Sequence, residues 1–142
     1  MVTKHIGRYA IMRSAERLSQ RLARYLTAEL ARLEVTDLEA HVLLHLPEGG
    51  RSVAELQAAL GLAASTLTGV IDRLEERGLV RRTLNLRDRR SFRILPRPAG
   101  VAAAGQVRAL SDRFEGKVRA RVTSAELEGF ARVVQAIEEV VD

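Results

Sequence analysis

Apolar residues recur at helical spacing from about Arg8 to Leu33, where Leu18, Leu22, Leu26, Leu30 and Leu33 step by four, four, four and three. Such a stripe predicts an amphipathic helix with one leucine face. The pattern restarts at Thr36-Asp37-Leu38-Glu39, a capping box in which a hydroxyl and a carboxylate three residues apart satisfy each other's backbone N–H groups. The helix it opens carries Leu38, Val42, Leu43 and Leu46, and Pro47 with Gly49-Gly50 ends it. A second box, Ser52 to Glu55, opens a short helix that Gly61 breaks. The next helix spans Ala64 to Arg77, with Leu67, Val70, Ile71 and Leu74 inward, and Gly78 is placed to close it in the left-handed conformation.

Beyond Gly78 the period changes. Leu79–Leu84 and Ser91–Leu95 alternate roughly by two and flank Asn85-Leu86-Arg87-Asp88-Arg89-Arg90, which predicts a β-hairpin with that segment as its tip. Pro96 and Pro98 close the second strand and prepare a helix start. A weaker helical pattern follows from Ala99 to about Arg121 through Val107, Leu110, Phe114 and Val118, interrupted by three glycines. The box Thr123 to Glu126 then opens a last helix, where Leu127, Phe130, Val134, Ile137 and Val141 form a seam suited to packing on another helix. The expectation is a mainly α protein with one small β-wing.

Composition narrows the chemistry. Of 142 residues 46% are apolar but only 4% aromatic, so the core is aliphatic. Cysteine is absent, which excludes disulfides, thiol redox chemistry and thiolate metal sites. No apolar run reaches the roughly 18–20 residues that cross a bilayer, and the N-terminal segment holds no apolar signal core, so a cytoplasmic protein without a membrane partner is expected. The net charge of +5 is concentrated: Arg81 to Arg97 holds seven arginines against Asp88 alone, a local +6, leaving 16 basic and 17 acidic groups elsewhere. A basic patch on a near-neutral body is the footprint of a polyanion binder, although a solvated basic hairpin has the same composition.

Helix, Gly-containing turn, helix and basic hairpin is the order of a winged helix-turn-helix. In that arrangement the second helix enters the major groove and the hairpin reaches the backbone or minor groove. Ser65, Thr66 and Thr68 lie in the first turns of the second helix and Arg73 further along it. The run Leu60-Gly61-Leu62, Ser65-Thr66-Leu67-Thr68, Ile71-Asp72-Arg73-Leu74-Glu75, Arg77-Gly78-Leu79-Val80-Arg81-Arg82, Asp88-Arg89-Arg90 and Pro98-Ala99-Gly100 resembles the MarR-type family of transcriptional regulators in order and spacing. The resemblance implies a homodimer. Its N- and C-terminal helices (residues 1–35 and 99–142) would interlock as a dimerisation domain around DNA-binding lobes (36–98). It also implies a sequence-specific regulator of double-stranded DNA, a repressor on a palindromic operator relieved by a small-molecule effector. The sequence holds no Gly-x-Ser-x-Gly turn, no phosphate-cradling glycine loop and no His-Glu-x-x-His, so neither enzymatic activity nor a cofactor is expected.

Carried over residue by residue, Ser65, Thr66 and Thr68 face the major groove and Arg73 bonds phosphate. Arg87 joins the wing contacts, Arg89 or Arg90 enters the minor groove, and Asp88 either holds a wing arginine or merely shapes the turn. Three departures stand out: Gly69 where many members have arginine, Ala63 in place of a polar N-cap, and Pro96-Arg97, which is expected to shorten the second wing strand. An effector cleft would draw on Tyr9, Met12, Tyr25 and His41, residues that serve equally well as core packing. Asp37, His41 and His45 share a helix face and are weak candidates for zinc. No third or fourth ligand clusters with them, His5 being the one other histidine, so no metal is expected. Two other readings stay open: a non-specific architectural DNA-binding protein, and a winged-helix module that binds a protein partner.

Overall fold

A computed structural model describes residue 7 and residues 9–142; Arg8, where the sequence pattern opens the first helix, and His5 lie outside the described residues. Six helices and three strands follow in the order α1 (Ala10–Arg32), α2 (Asp37–Leu44), β1 (Arg51–Ser52), α3 (Val53–Leu60), α4 (Ala64–Glu76), β2 (Val80–Leu84), β3 (Phe92–Pro96), α5 (Pro98–Arg119) and α6 (Ser124–Val141) among the described residues. Two compact units result, one ending at Val107 and one spanning Arg108–Asp142.

All three capping boxes form. Thr36, Ser52 and Thr123 each accept the N3 amide of α2, α3 and α6, and Glu39, Glu55 and Glu126 return the bond to the cap amide. At Glu55 and Glu126 these backbone and hydroxyl bonds hold the carboxyl below its ordinary pKa. α4 starts without a side-chain cap, as Ala63 dictates. It ends through Gly78 at φ 71°, a left-handed position that a side chain would strain.

The first unit is built on an aliphatic core, with Val42, Leu43, Leu56, Leu67, Val70, Ile71, Leu74, Val80 and Ile94 wholly buried. These residues come from α2, α3, α4, β2 and β3, so helices and hairpin share one core. Each such side chain contributes about 1.5–3 kcal/mol by leaving water. α3 and α4 are joined by Gly61-Leu62-Ala63 and bend 114° from one to the other, within the range of helix-turn-helix units.

The sheet has the order β1-β3-β2 and is antiparallel throughout. The short strand β1, unforeseen in the sequence pattern, pairs Arg51 with Ile94 and Ser52 with Arg93, so Ser52 ends a strand and caps α3 at once. The expected shortening at Pro96 does not occur: β2 and β3 are five residues each, and Pro96 stands opposite Val80. The reason lies in the ladder. Arg97 N–H bonds Leu79 O at 2.9 Å and Asn85 N–H bonds Ser91 O at 3.0 Å, so the Val80–Pro96 rung falls on a non-hydrogen-bonded pair where no proline N–H is needed.

α5 passes through its glycines unbroken. At Gly100 a Cβ would overlap the Leu79 carbonyl oxygen and lie 3.5 Å from Leu43 Cδ2, so the helix start is seated directly on backbone. In the second unit α6 forms as patterned, yet none of its residues is buried, and Phe130, Val133, Val140 and Val141 are exposed. No single helix among the described residues is long and apolar enough to cross a membrane.

Candidate nucleic-acid interface

The N-terminal half of α4 presents Ser65, Thr66 and Thr68 to solvent, while Leu67, Val70, Ile71 and Leu74 fix the opposite face in the core. A Cβ on Gly69 would stand 3.6 Å from Arg73 Nη1, an ordinary van der Waals contact, so the fold does not require a glycine at this position.

Arg73 is also drawn inward. Its Nε lies 3.6 Å from Glu39 Oε1, and Arg77 Nη1 lies 3.0 Å from Glu39 Oε2. Glu39, a charged side chain buried in the aliphatic core, also bonds the Thr36 amide. A buried carboxylate is tolerated where donors surround it, and here two arginines of α4 and one amide do so. In the sequence Glu39 reads only as a cap. Its arginine partners lie 34 and 38 positions away, beyond any local signal.

The seven arginines that look alike in sequence divide into two groups. Arg82 is structural: its Nη2 bonds Asp72 Oδ1 at 2.5 Å, its Nη1 bonds Glu75 Oε1 at 3.0 Å, and its amide bonds Glu75 Oε2 at 2.9 Å. Burial works against the Arg82 charge, and the two carboxylates outweigh it, raising its pKa. Three bonds therefore fasten β2 to α4. Arg93 is structural too, donating Nε to Gly49 O at 2.7 Å and Nη2 to Gly50 O at 2.9 Å. Arg81, Arg87, Arg89, Arg90 and Arg97 are exposed and have no side-chain hydrogen bond or ion pair among the described residues.

The tip is two linked turns. Asp88 N–H bonds Asn85 O at 3.2 Å and Ser91 N–H bonds Asp88 O at 3.0 Å. Asn85 Oδ1 accepts from Arg87 N–H at 3.1 Å and Asp88 Oδ1 from Arg90 N–H at 3.0 Å. Of the two readings of Asp88, the turn is the one with a bond behind it: its carboxylate is spent on a backbone amide and pairs with no arginine side chain among the described residues.

The other candidates are less gathered. Tyr9 and Met12 are exposed at the start of α1, Tyr25 is half-buried farther along it, and His41 is exposed on α2. His41 Nδ1 lies 2.7 Å from Asp37 O and His45 Nδ1 2.8 Å from His41 O, so each ring is turned onto its own helix, and the Asp37 carboxylate stands 3.5 Å from His41 Nδ1. Among the described residues no group of three or more His, Asp or Glu side chains is placed to hold a metal ion.

Residues 35–92 match the family model described as MarR family. That match covers the winged lobe and stops short of α5 and α6. Solved structures extend the likeness in fold over most of the chain. S. aureus MepR, solved as a complex with DNA, is 16% identical with a TM-score of 0.77, covering 96% of this chain and 99% of that one. A MarR family transcription regulator is 22% identical with a TM-score of 0.82, over 94% and 89%. The heme sensor PefR, in complex with heme and carbon monoxide, is 20% identical with a TM-score of 0.71, over 89% and 90%. The winged helix-turn-helix read from the sequence is thus the fold that this chain shares with these structures.

Proposed function

We propose that this chain is a transcription regulator that binds double-stranded DNA sequence-specifically, works as a homodimer on a palindromic operator, represses, and is relieved by a small-molecule effector. The observation that carries the reading is the pairing of two exposed surfaces on one rigid lobe. The hydroxyls of Ser65, Thr66 and Thr68 lie on a helix whose start has no side-chain cap, and Arg87, Arg89 and Arg90 sit on the hairpin fastened to it. Uncapped helix amides attract phosphate, short hydroxyls bond phosphates or base edges, and unpaired arginines suit the negative potential of the minor groove. Arg73 contributes to phosphate binding from its exposed side. MepR, of the same fold, was solved with DNA.

The homodimer is supported by the apolar residues left uncovered at both ends of the chain, Ile11 and Leu18 on α1 and Phe130 and Val133 on α6. Residues 1–35 and 99–142 would supply the dimer helices. Two-fold symmetry in the protein calls for two-fold symmetry in the operator. An effector lowers DNA affinity only by preferring a dimer whose recognition helices are wrongly spaced.

The test is a fluorescence-anisotropy titration against the upstream intergenic duplex of its own gene and a scrambled duplex, at near-physiological salt. Preference for the upstream duplex by about a thousandfold or more is expected. Equal weak binding to both duplexes overturns the operator reading in favour of counterion-driven, architectural binding.

A further inference from the structure

One face of the wing carries apolar side chains beyond those the core uses, on either side of the ion-paired Arg82. Val80 and Ile94 lie on it at the root and are wholly buried, and farther outward Leu84 and Phe92 stand opposite each other on the same face, 60% and 47% exposed. At the tip Leu86 is 96% exposed. The tip's turns are made by Asn85, Asp88 and Ser91, none of which needs a leucine at position 86. Leu86 therefore has no task within the fold, and its neighbours Arg87, Arg89 and Arg90 carry no acid partner among the described residues.

We infer that Leu86 is an apolar wedge, carried on the Leu84–Phe92 shoulder, that enters the minor groove of duplex DNA between base steps while the flanking arginines hold the phosphates. The inference rests on the DNA-binding reading above and adds to it a deformation of the duplex. Charge complementarity selects the occupant, since an exposed apolar tip ringed by unpaired cations matches a groove walled by phosphates and floored by bases. Leucine and phenylalanine wedges unstack a step and bend DNA by about 20–90°.

The experiment uses the full chain and its upstream intergenic duplex carrying a fluorophore at each end. Energy transfer reports bending, and anisotropy over a salt series reports affinity. The wild-type chain is expected to bring the ends closer. Leu86→Ser, at an exposed tip position, is expected to keep the fold and the salt slope, lose most of the bend, and weaken binding by roughly tenfold, the worth of one buried leucine. Leu86→Phe is expected to restore the bend. The wedge is overturned if Leu86→Ser bends the duplex as wild type does, or if wild type binds without bending it. It is also overturned if Leu86→Ser loses binding only to phosphatidylserine vesicles, which would assign the tip to lipid. Failure of the wild-type chain to bind any duplex removes the DNA-binding reading itself, a result distinct from each of these.

Discussion

The Glu39 carboxylate and the Arg77 guanidinium meet at 3.0 Å at the junction of α2 with the end of α4, where the Glu39 side chain is only 4% exposed. A buried charge of this kind stabilises only while its donors remain. Arg77→Ala leaves the carboxylate with the more distant Arg73 and the Thr36 amide, and is expected to cost about 1–3 kcal/mol in urea unfolding. A loss of a few tenths would show that the pair behaves as a surface ion pair.

Gly100 and Gly105 lie on the same helix and predict opposite outcomes. At Gly100 an added methyl meets the Leu79 carbonyl, whereas at Gly105 nothing lies within 4 Å. Gly100→Ala is expected to destabilise by about 1–3 kcal/mol. Gly105→Ala is expected to stabilise by roughly 0.5–1 kcal/mol through helix propensity. Paired thermal melts decide it, and two shifts of the same sign would contradict the seating of α5 on Leu79.

The two groups of wing arginines separate in a salt titration. Arg89→Ala with Arg90→Ala removes two exposed cations, and is expected to leave the melting temperature in place. The dependence of log K on log salt should flatten by about 0.9 for each phosphate that is no longer neutralised. Arg82→Ala is expected to lower the melting temperature, because Asp72, Glu75 and the wing root lose their common partner. An unchanged salt slope in the Arg89/Arg90 variant would take the wing out of the interface.

Acid should loosen α6 through its cap. The Glu126 carboxyl has a lowered pKa in the folded chain because the Thr123 amide and hydroxyl bond its charged form. Its contribution is therefore fully present above the unfolded value and lost as pH falls through the lowered folded value. A carboxyl-detected NMR titration is expected to place Glu126 below the ordinary glutamate value, and Thr123→Ala to bring it back up. A Glu126 midpoint unmoved by Thr123→Ala would deny the cap that role.

Much of the fold is legible in the sequence because its signals are local. A capping box needs four adjacent residues, and all three boxes stand where the sequence puts them. Gly78 likewise announces a left-handed helix end within one turn. What the sequence hides depends on distant neighbours. β1 is two residues long and exists only because Arg93 and Ile94 lie beside it. The seven wing arginines have the same chemistry on paper. Only the placement of Asp72 and Glu75 on one face of α4 makes Arg82 a fastener, and only the Gly49 and Gly50 carbonyls do so for Arg93. The one local hint is the spacing of Asp72 and Glu75, three apart on the helix that precedes the strand.

The grip of Arg82 on α4 separates aim from reach. The angle at which the hairpin leaves the lobe is set at its root, where Val80 and Ile94 enter the core and Arg82 and Arg93 bond its neighbours, while the residues between Asn85 and Ser91 answer only to their own turns. Tip residues can then be exchanged or inserted without re-aiming the helix, whereas a change at position 82 misdirects everything beyond it. Evolution working on such a hairpin has an adjustable fingertip on a fixed knuckle.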